Sequence, residues 1–360
     1  MTLELTENAP LAGYTTLGVG GPARTLAVAA RKADLVEVVE RSRAGERVVL
    51  LGGGSNVLVA DEGVDALVVI VGTRGVRFEE DGDRVLVTAA AGEPWDELVA
   101  ACTQRGLAGL ECLSGIPGLV GATPIQNVGA YGQEVSDTLV RVHVCDRETG
   151  EVGELSAAEC ELRYRDSAFK SKWPDRFVIL DVTFALRAGA PASTGYRELD
   201  AALAGLPAPP TVADVRSTVL ALRRKKGMVL DDADPDTRSA GSFFTNPILD
   251  ESALMSLHSV IDTTNVLGPS ETIPTFAAEG GKTKVAAAWL IERAGYRKGF
   301  TIGRAAISSK HALALTNRGD ATADEIVTLA RAIQDGVKSR FGVRLVPEPM
   351  RLGFARDPLA

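Results

Sequence analysis

Residues 109–132, GLECLSGIPGLVGATPIQNVGAYG, constrain the fold more than any other stretch. They hold six glycines, two prolines and one charge, Glu111. Gly and Pro weaken the interiors of helices and strands alike, so neither element explains the run. A solvated loop of this length carries more charge. Bare glycine backbone instead lets an extended ligand approach main-chain N–H and C=O groups closely. Ser114, Gln126, Asn127 and Tyr131 are then the candidates to fix its polar edges. The segment reads as a wall built against something large and flat. The competing reading is an irregular buried linker.

The chain has 360 residues, room for two or three domains. A hydrophobic content of 45 % with few aromatics suits an ordinary α/β protein. The net charge of −8, without a long basic run, argues against nucleic acid as the main partner, because such binding rests on phosphate neutralisation. The first ten residues are neither basic nor apolar enough for a signal peptide, and no apolar window is long enough to span a membrane. Cys102, Cys112, Cys145 and Cys160 lack CxxC spacing, and His143, His258 and His311 are scattered, so no metal site or disulfide frame is expected. A reducing cytoplasm is the expected compartment.

Hydrophobic periodicity predicts helices over 32–43, 95–105, 211–226, 285–293 and 323–341. Thr211 with Asp214, and Thr322 with Glu325, supply capping-box starts. Strands are predicted over 48–51, 67–71, 85–90, 141–146, 177–186 and 343–346. Residues 193–210, rich in Ala, Gly and Pro, look like a boundary, and 227–241 like an acidic loop.

LLGGGSNVLVA, residues 50–60, joins a strand to a triple-glycine turn. Consecutive glycine N–H groups make a concavity suited to a pyrophosphate, although a structural turn fits equally well. It is neither the G-x-G-x-x-G fingerprint nor a P-loop. Gly18-Val19-Gly20-Gly21-Pro22-Ala23 only superficially fits G-x-G-x-x-A, since no strand leads into it and Pro22 removes a donor. Arg165, in Tyr164-Arg165-Asp166-Ser167, is suited to a bidentate grip on a carboxylate or phosphate; a surface ion pair is the plainer reading. Ser242 lies between Gly241 and two phenylalanines, without the nucleophile elbow, as a hydroxyl proton donor or a structural cap. Pro347 and Pro349 hold Glu348 in one orientation or simply close a terminal turn. The run Arg223-Arg224-Lys225-Lys226 reads as a solvated helix end or a phosphate clamp.

Taken in order, TLGVGG, LGGGSNVL, SGIPGLVGATPIQNVGAYGQEV, YRDSAFK, AGSFFTNP, AAWLIERAG and the final PEP resemble the UDP-N-acetylenolpyruvoylglucosamine reductase (MurB) family over nearly the whole chain. Single motifs are modestly specific, and the ordered set is highly specific. The resemblance implies a mixed α/β, vanillyl-alcohol-oxidase (PCMH)-type FAD-binding fold in two subdomains, with a substrate-binding α+β domain in the C-terminal half. The implied division is 1–70, completed by the C-terminal segment, then 71–205, a substrate domain over 206–322, and a returning helix and strand over 323–360.

The implied activity is NADPH-dependent reduction of the enolpyruvyl ether of UDP-N-acetylglucosamine enolpyruvate to UDP-N-acetylmuramate, with FAD as cofactor, in peptidoglycan precursor synthesis. The enzyme would be a cytoplasmic monomer. FAD would lie along Gly52, Gly53, Gly54, Ser55, Asn56, Ser114, Ile116, Pro117, Gly118, Gly121, Ala122, Asn127, Gly129, Ala130 and Arg165. Arg165 and Glu348 would stabilise charge developing on the substrate carboxylate, Glu348 as the neutral acid or through a polarised network. Ser242 would deliver the proton, by positioning rather than acidity. Tyr131, Tyr196, Lys226 and Asn246 would contact substrate, Tyr196 matching the loop tyrosine of one of the family's two types. Two positions depart from the common pattern, Arg293 where glutamine is frequent and Arg351 three residues after the glutamate. An oxygen-using flavin oxidase on the same fold and a catalytically silent binding protein are the competing classes.

Overall fold

The computed structural model describes residues 3–190, 192, 195–206, 209–264, 266–268 and 271–360. It contains two compact units. One comprises the N-terminal segment up to Ala9 with Ala23–Gly54 and Asp65–Leu230; the other comprises Pro10–Pro22, Ser55–Val64 and Asp231–Ala360.

In the first unit a four-stranded sheet runs in the order Thr6–Pro10, Pro22–Ala29, Val64–Val71, Val48–Leu51. The last two strands are parallel, with Val48 opposite Leu67 and Leu51 opposite Ile70. The apolar runs Val48–Leu51 and 66–71 suit a sheet covered on both faces. The helix Lys32–Arg43 sends Leu35, Val38 and Val39 into one core cluster with Leu67 and Val69. A second, antiparallel sheet follows the order Val152–Ser156, Leu139–Asp146, Phe177–Ala188, Arg84–Ala90, Val76–Asp81. Over it packs the helix Trp95–Gln104. Trp95 meets Phe184 edge to face, with centroids 5.7 Å apart. Its indole N–H donates to the Leu113 carbonyl at 3.1 Å and its backbone N–H to that of Gly118 at 3.0 Å. The core tryptophan thereby fastens both ends of the first half of the glycine-rich wall.

In the second unit the helix Ala323–Phe341 carries the core. Ile326, Leu329, Ala330, Ile333, Val337 and Phe341 recur at helical spacing and are buried together with Phe243, Leu290 and Leu345. Full burial of one such side chain contributes about 1.5–3 kcal/mol. The helix starts at Thr322, whose hydroxyl accepts from the Glu325 N–H. The Asp61 carboxylate accepts from the N–H groups of Ala323 and Asp324, at 2.8 and 3.0 Å. A negative group is favourable at that pole of the helix. The strand Met350–Leu352 runs parallel to Val57–Val59, so the chain's end returns to the strand that follows the triple-glycine turn.

Several elements differ from the sequence reading. Residues 343–346 do not form a strand. The Leu345 carbonyl is taken by the Gln334 side-chain amide at 2.8 Å, and Pro347 and Pro349 offer no N–H to a ladder. The pairing strand is Met350–Leu352 instead. The helix expected from 285 starts at Ala287, because Thr283–Val285 pairs with Thr275–Ala277. Within 193–210 lies a helix, Arg197–Leu203, whose Leu199 and Leu203 pack on Val215 and Val219 of the helix Val212–Lys225. Residues 193, 194, 207 and 208 of that stretch fall outside the described residues. A strand, Thr6–Pro10, does stand upstream of Gly18-Val19-Gly20-Gly21, separated from it by the 3₁₀ turn Ala12–Tyr14. The turn serves packing, since the Gly21 N–H donates to the Ala60 carbonyl at 2.8 Å and a Cβ there would sit 2.1 Å from the Asp61 carbonyl oxygen.

Candidate active site

The wall is an irregular path of short turns in which Glu111, Ser114, Thr123 and Asn127 are buried. Glu111, its one charge, is buried and accepts from the Gly109 N–H at 2.7 Å. The Ser114 hydroxyl is buried and donates to the Glu111 carbonyl. Asn127, with φ +42°, donates its amide to Glu134 and to the Arg163 carbonyl and accepts from the Ser136 N–H. These bonds use the Ser114 and Asn127 side chains to hold the wall itself, leaving main-chain atoms for a ligand. Ile116, Pro117 and Gly118 are half-buried, Gly121 is buried with its N–H on the Ala91 carbonyl at 2.8 Å, and Ala122 is exposed.

The triple-glycine turn lies against this wall. A Cβ on Gly53 would stand 2.8 Å from the Gly118 Cα, so the two backbones meet where no side chain fits. Gly53 is exposed, Gly52 half-buried and Gly54 buried. Ser55 and Asn56 continue into the second unit, where the Asn56 carbonyl accepts from the Met350 N–H at 3.0 Å.

Arg165, also at positive φ, closes the far end of the wall. Its guanidinium donates to the Gly129 carbonyl at 2.8 Å and to that of Asn127 at 3.4 Å. The Ser167 hydroxyl donates to the Ile125 carbonyl, and the Lys170 ammonium reaches the Gln126 side chain. The YRDSAFK motif therefore grips residues 125–129. No local pattern announces these direct bonds, which join positions so far apart, although the family resemblance already puts Arg165 beside Asn127 and Gly129 along the cofactor.

Gly129–Ala130 pairs with Gln133–Glu134 in a hairpin whose two turn residues, Tyr131 and Gly132, both have positive φ. From this primed turn the half-buried Tyr131 packs against the cluster of Cys112, Leu199 and Val219. Tyr196 meets it edge to face, with centroids 5.4 Å apart, and the Lys226 ammonium lies 5.6 Å from the same centroid. Lys226 is paired with Glu198 at 2.5 Å. Burial pushes the Tyr131 phenol up to about 12. Arg223 stands close to this group; burial pulls its guanidinium down to about 10, against the opposing pull of Tyr131 and Asp96. Glu198 had no signal in the sequence beyond an ordinary helix charge, and Arg223 stood out only as part of the basic run read as a solvated helix end or a phosphate clamp.

The second unit brings Ser242 and Glu348 together around Phe243. The Phe243 N–H donates to the Leu313 carbonyl at 2.7 Å, and its own carbonyl accepts from the Glu348 N–H at 2.9 Å. Thr245 adds an N–H to the Val346 carbonyl at 3.0 Å, and Phe244 bridges Pro347. Phe243 and Phe244 are both buried and anchor this strap in the core. The Ser242 hydroxyl lies 3.3 Å from His311 Nε2, a partner that scattered histidines did not suggest. Asn246 has a different role in the structure, its Oδ1 accepting from the Ala287 N–H at 2.9 Å at the start of the helix Ala287–Arg293. Arg351 is paired with Asp357 at 2.5 Å and donates to the Pro349 carbonyl. Arg293 is paired with Glu271.

Residues 23–156 match the model of an FAD-binding domain, and residues 234–352 match that of the UDP-N-acetylenolpyruvoylglucosamine reductase C-terminal domain. Fold and site thus define a flavoprotein of the FAD-binding oxidoreductase class. A UDP-N-acetylenolpyruvoylglucosamine reductase of Saccharopolyspora erythraea is 52 % identical over 97 % of this chain and 96 % of its own length. One from Thermobifida fusca is 50 % identical over 98 % and 99 %. The solved structure of the Thermus caldophilus enzyme (MurB) superposes with a TM-score of 0.65 at 25 % identity, covering 98 % of this chain and 99 % of that one. The chain belongs to the UDP-N-acetylenolpyruvoylglucosamine reductase (MurB) family.

The residues present fit FAD. The exposed Gly53, the half-buried Gly52 and the half-buried strip at 116–119 offer uncharged main chain in the first unit, and a Cβ on Gly52 would meet nothing nearer than the Leu119 side chain at 3.8 Å.

Proposed function

We propose that this chain reduces the enolpyruvyl ether of UDP-N-acetylglucosamine enolpyruvate to UDP-N-acetylmuramate at the expense of NADPH, in peptidoglycan precursor synthesis. Bound FAD supplies the hydride chemistry. Gly52, Gly53, Gly54, Ser55 and Asn56 hold the cofactor with the main chain of Ser114, Ile116, Pro117, Gly118, Gly121, Ala122, Asn127, Gly129 and Ala130, and Arg165 closes that cradle. Lys226, released from Glu198, takes the substrate diphosphate, while Tyr131 and Tyr196 cover the sugar and Asn246 contacts it.

Reduction of the enolpyruvyl double bond pushes negative charge onto the substrate carboxylate. A fixed guanidinium at Arg165 and the Glu348 carboxyl stabilise that charge. The carbon then takes a proton from the Ser242 hydroxyl. A serine is a weak acid, so its advantage comes from being held in line with a strongly basic carbon. The enzyme works as a cytoplasmic monomer; among the described residues no helix is long and apolar enough to cross a membrane.

The observation that carries this reading is the strap at Phe243, which ties the Ser242 and Glu348 segments to one residue. The test is mass spectrometric. Anaerobic holoenzyme with NADPH and the enolpyruvyl sugar nucleotide yields a product heavier by two hydrogens, and recovery of unchanged substrate would refute the proposal.

A further inference from the structure

We infer that His311 is a positioning and proton-supplying residue that acts through Ser242. The inference rests on the reading of Ser242 as proton donor. Two loops are locked together to make the contact. Ser308, fully buried, accepts at its hydroxyl oxygen from the N–H groups of Lys310 and His311, at 3.0 and 3.2 Å. Its own N–H donates to the Ala314 carbonyl, and the Ala314 N–H donates back to the His311 carbonyl. The next residue but one, Leu313, faces the strap: its carbonyl accepts from Phe243. The Ser309 N–H and hydroxyl are held by Asp236, and Lys310 by Asp234. The imidazole is therefore fixed by its backbone on one side and presented to Ser242 Oγ at 3.3 Å on the other. His311 is itself half-buried, within reach of solvent protons.

The direction of this hydrogen bond follows from the chemistry. A serine whose O–H points at His311 has no proton to offer the substrate. Ser242 can donate only when its oxygen accepts from Nε2–H, leaving the O–H free to turn toward the carbon. As the substrate carbon takes that proton, the Ser242 O–H bond breaks and a C–H bond forms. The nascent alkoxide is stabilised by the Nε2–H that already points at it. With His311 protonated, the Nε2–H bond breaks, the Ser242 O–H re-forms, and a neutral imidazole remains, to be reprotonated from water. No electron leaves the substrate in this step. The arrangement removes the main objection to serine as an acid, namely the cost of an unsupported alkoxide.

The test is single-turnover stopped-flow kinetics on the holoenzyme. In His311→Ala, flavin reduction by NADPH stays within about twofold of the parent, while reoxidation by the enolpyruvyl sugar nucleotide slows about a hundredfold, at the low end of acid–base effects. His311→Gln keeps an N–H donor and a folded site, and recovers part of that loss. Added imidazole accelerates reoxidation in His311→Ala and does nothing for Ser242→Ala. The Ser242→Ala/His311→Ala double variant is no slower than Ser242→Ala alone, as expected of groups acting as a unit. The inference is overturned if the two substitutions are additive, if imidazole fails to rescue, or if both half-reactions slow equally. Failure of the underlying reading looks different: the parent enzyme is then not reoxidised by the enolpyruvyl compound, or Ser242→Ala matches the parent.

Discussion

The Glu348 N–H donates to the Phe243 carbonyl at 2.9 Å. That single bond ties the Pro347-Glu348-Pro349 turn to the residue that follows Ser242, across about a hundred positions of sequence. It gives two candidate catalytic groups a common mount, and the buried rings of Phe243 and Phe244 keep that mount rigid.

The first prediction concerns the division of the catalytic cycle. Ser242→Ala leaves flavin reduction by NADPH intact and lowers the rate of reoxidation by the enolpyruvyl substrate by at least about a hundredfold. Stopped-flow absorbance of the flavin in each half-reaction checks this. Equal loss in both halves contradicts the proton-donor role.

Arg165 is the second. A lysine there cannot span the Asn127 and Gly129 carbonyls and still present a planar donor pair to a carboxylate. Arg165→Lys lowers kcat by roughly 10²–10³-fold, the range for loss of a transition-state charge stabiliser. Steady-state kinetics with the flavin content measured in parallel separates this effect from loss of cofactor; an unchanged kcat counts against the assignment.

Gly53→Ala is the third. Its Cβ would stand 2.8 Å from the Gly118 Cα, where both neighbours are main chain and cannot swing aside. Strain of this kind costs about 1–3 kcal/mol. The variant therefore melts earlier and retains less FAD after gel filtration. A variant with parental Tm and full yellow colour contradicts the close backbone approach.

The fourth is a pH effect on stability. Glu271 accepts from the Gly268 N–H, the Trp289 indole and Arg293, which together hold its carboxyl at about 2, well below its ordinary 4.5. A lowered folded-state value stabilises the protein above the unfolded value and loses that contribution as pH falls toward about 2. Urea midpoints of the parent and of Glu271→Gln thus differ at neutral pH and converge between about pH 5 and pH 2. A gap that stays constant over this window shows that the variant acts through packing alone.

Much of this was legible in the sequence because the informative signals are local. The apolar spacing of the helices at Lys32–Arg43 and Ala323–Phe341, and for the second its Thr322–Glu325 capping box, are local signals, and the structure gives the same bounds. The glycine-rich wall was legible as irregular structure for the same reason. Its occupant, FAD, was legible only through the ordered set of motifs; how the wall keeps its shape was not, since Asn127 is held by Glu134, Ser136 and the Arg163 carbonyl, partners up to 36 residues away. Residues 343–346 had the composition of a strand, but a glutamine from the neighbouring helix captures the carbonyl that pairing needs. His311 had no signal, since its meaning depends on a contact 69 residues away. The second unit also gathers three separate stretches of chain, and no local pattern announces such a union.

The most direct measurement is NADPH oxidation by the purified holoenzyme under anaerobic conditions, with and without UDP-N-acetylglucosamine enolpyruvate. Sustained oxidation is expected only when the enolpyruvyl compound is present, in equal amount to the UDP-N-acetylmuramate formed. Oxidation that needs oxygen and ignores the enolpyruvyl compound would contradict this expectation and mark the chain as an oxidase.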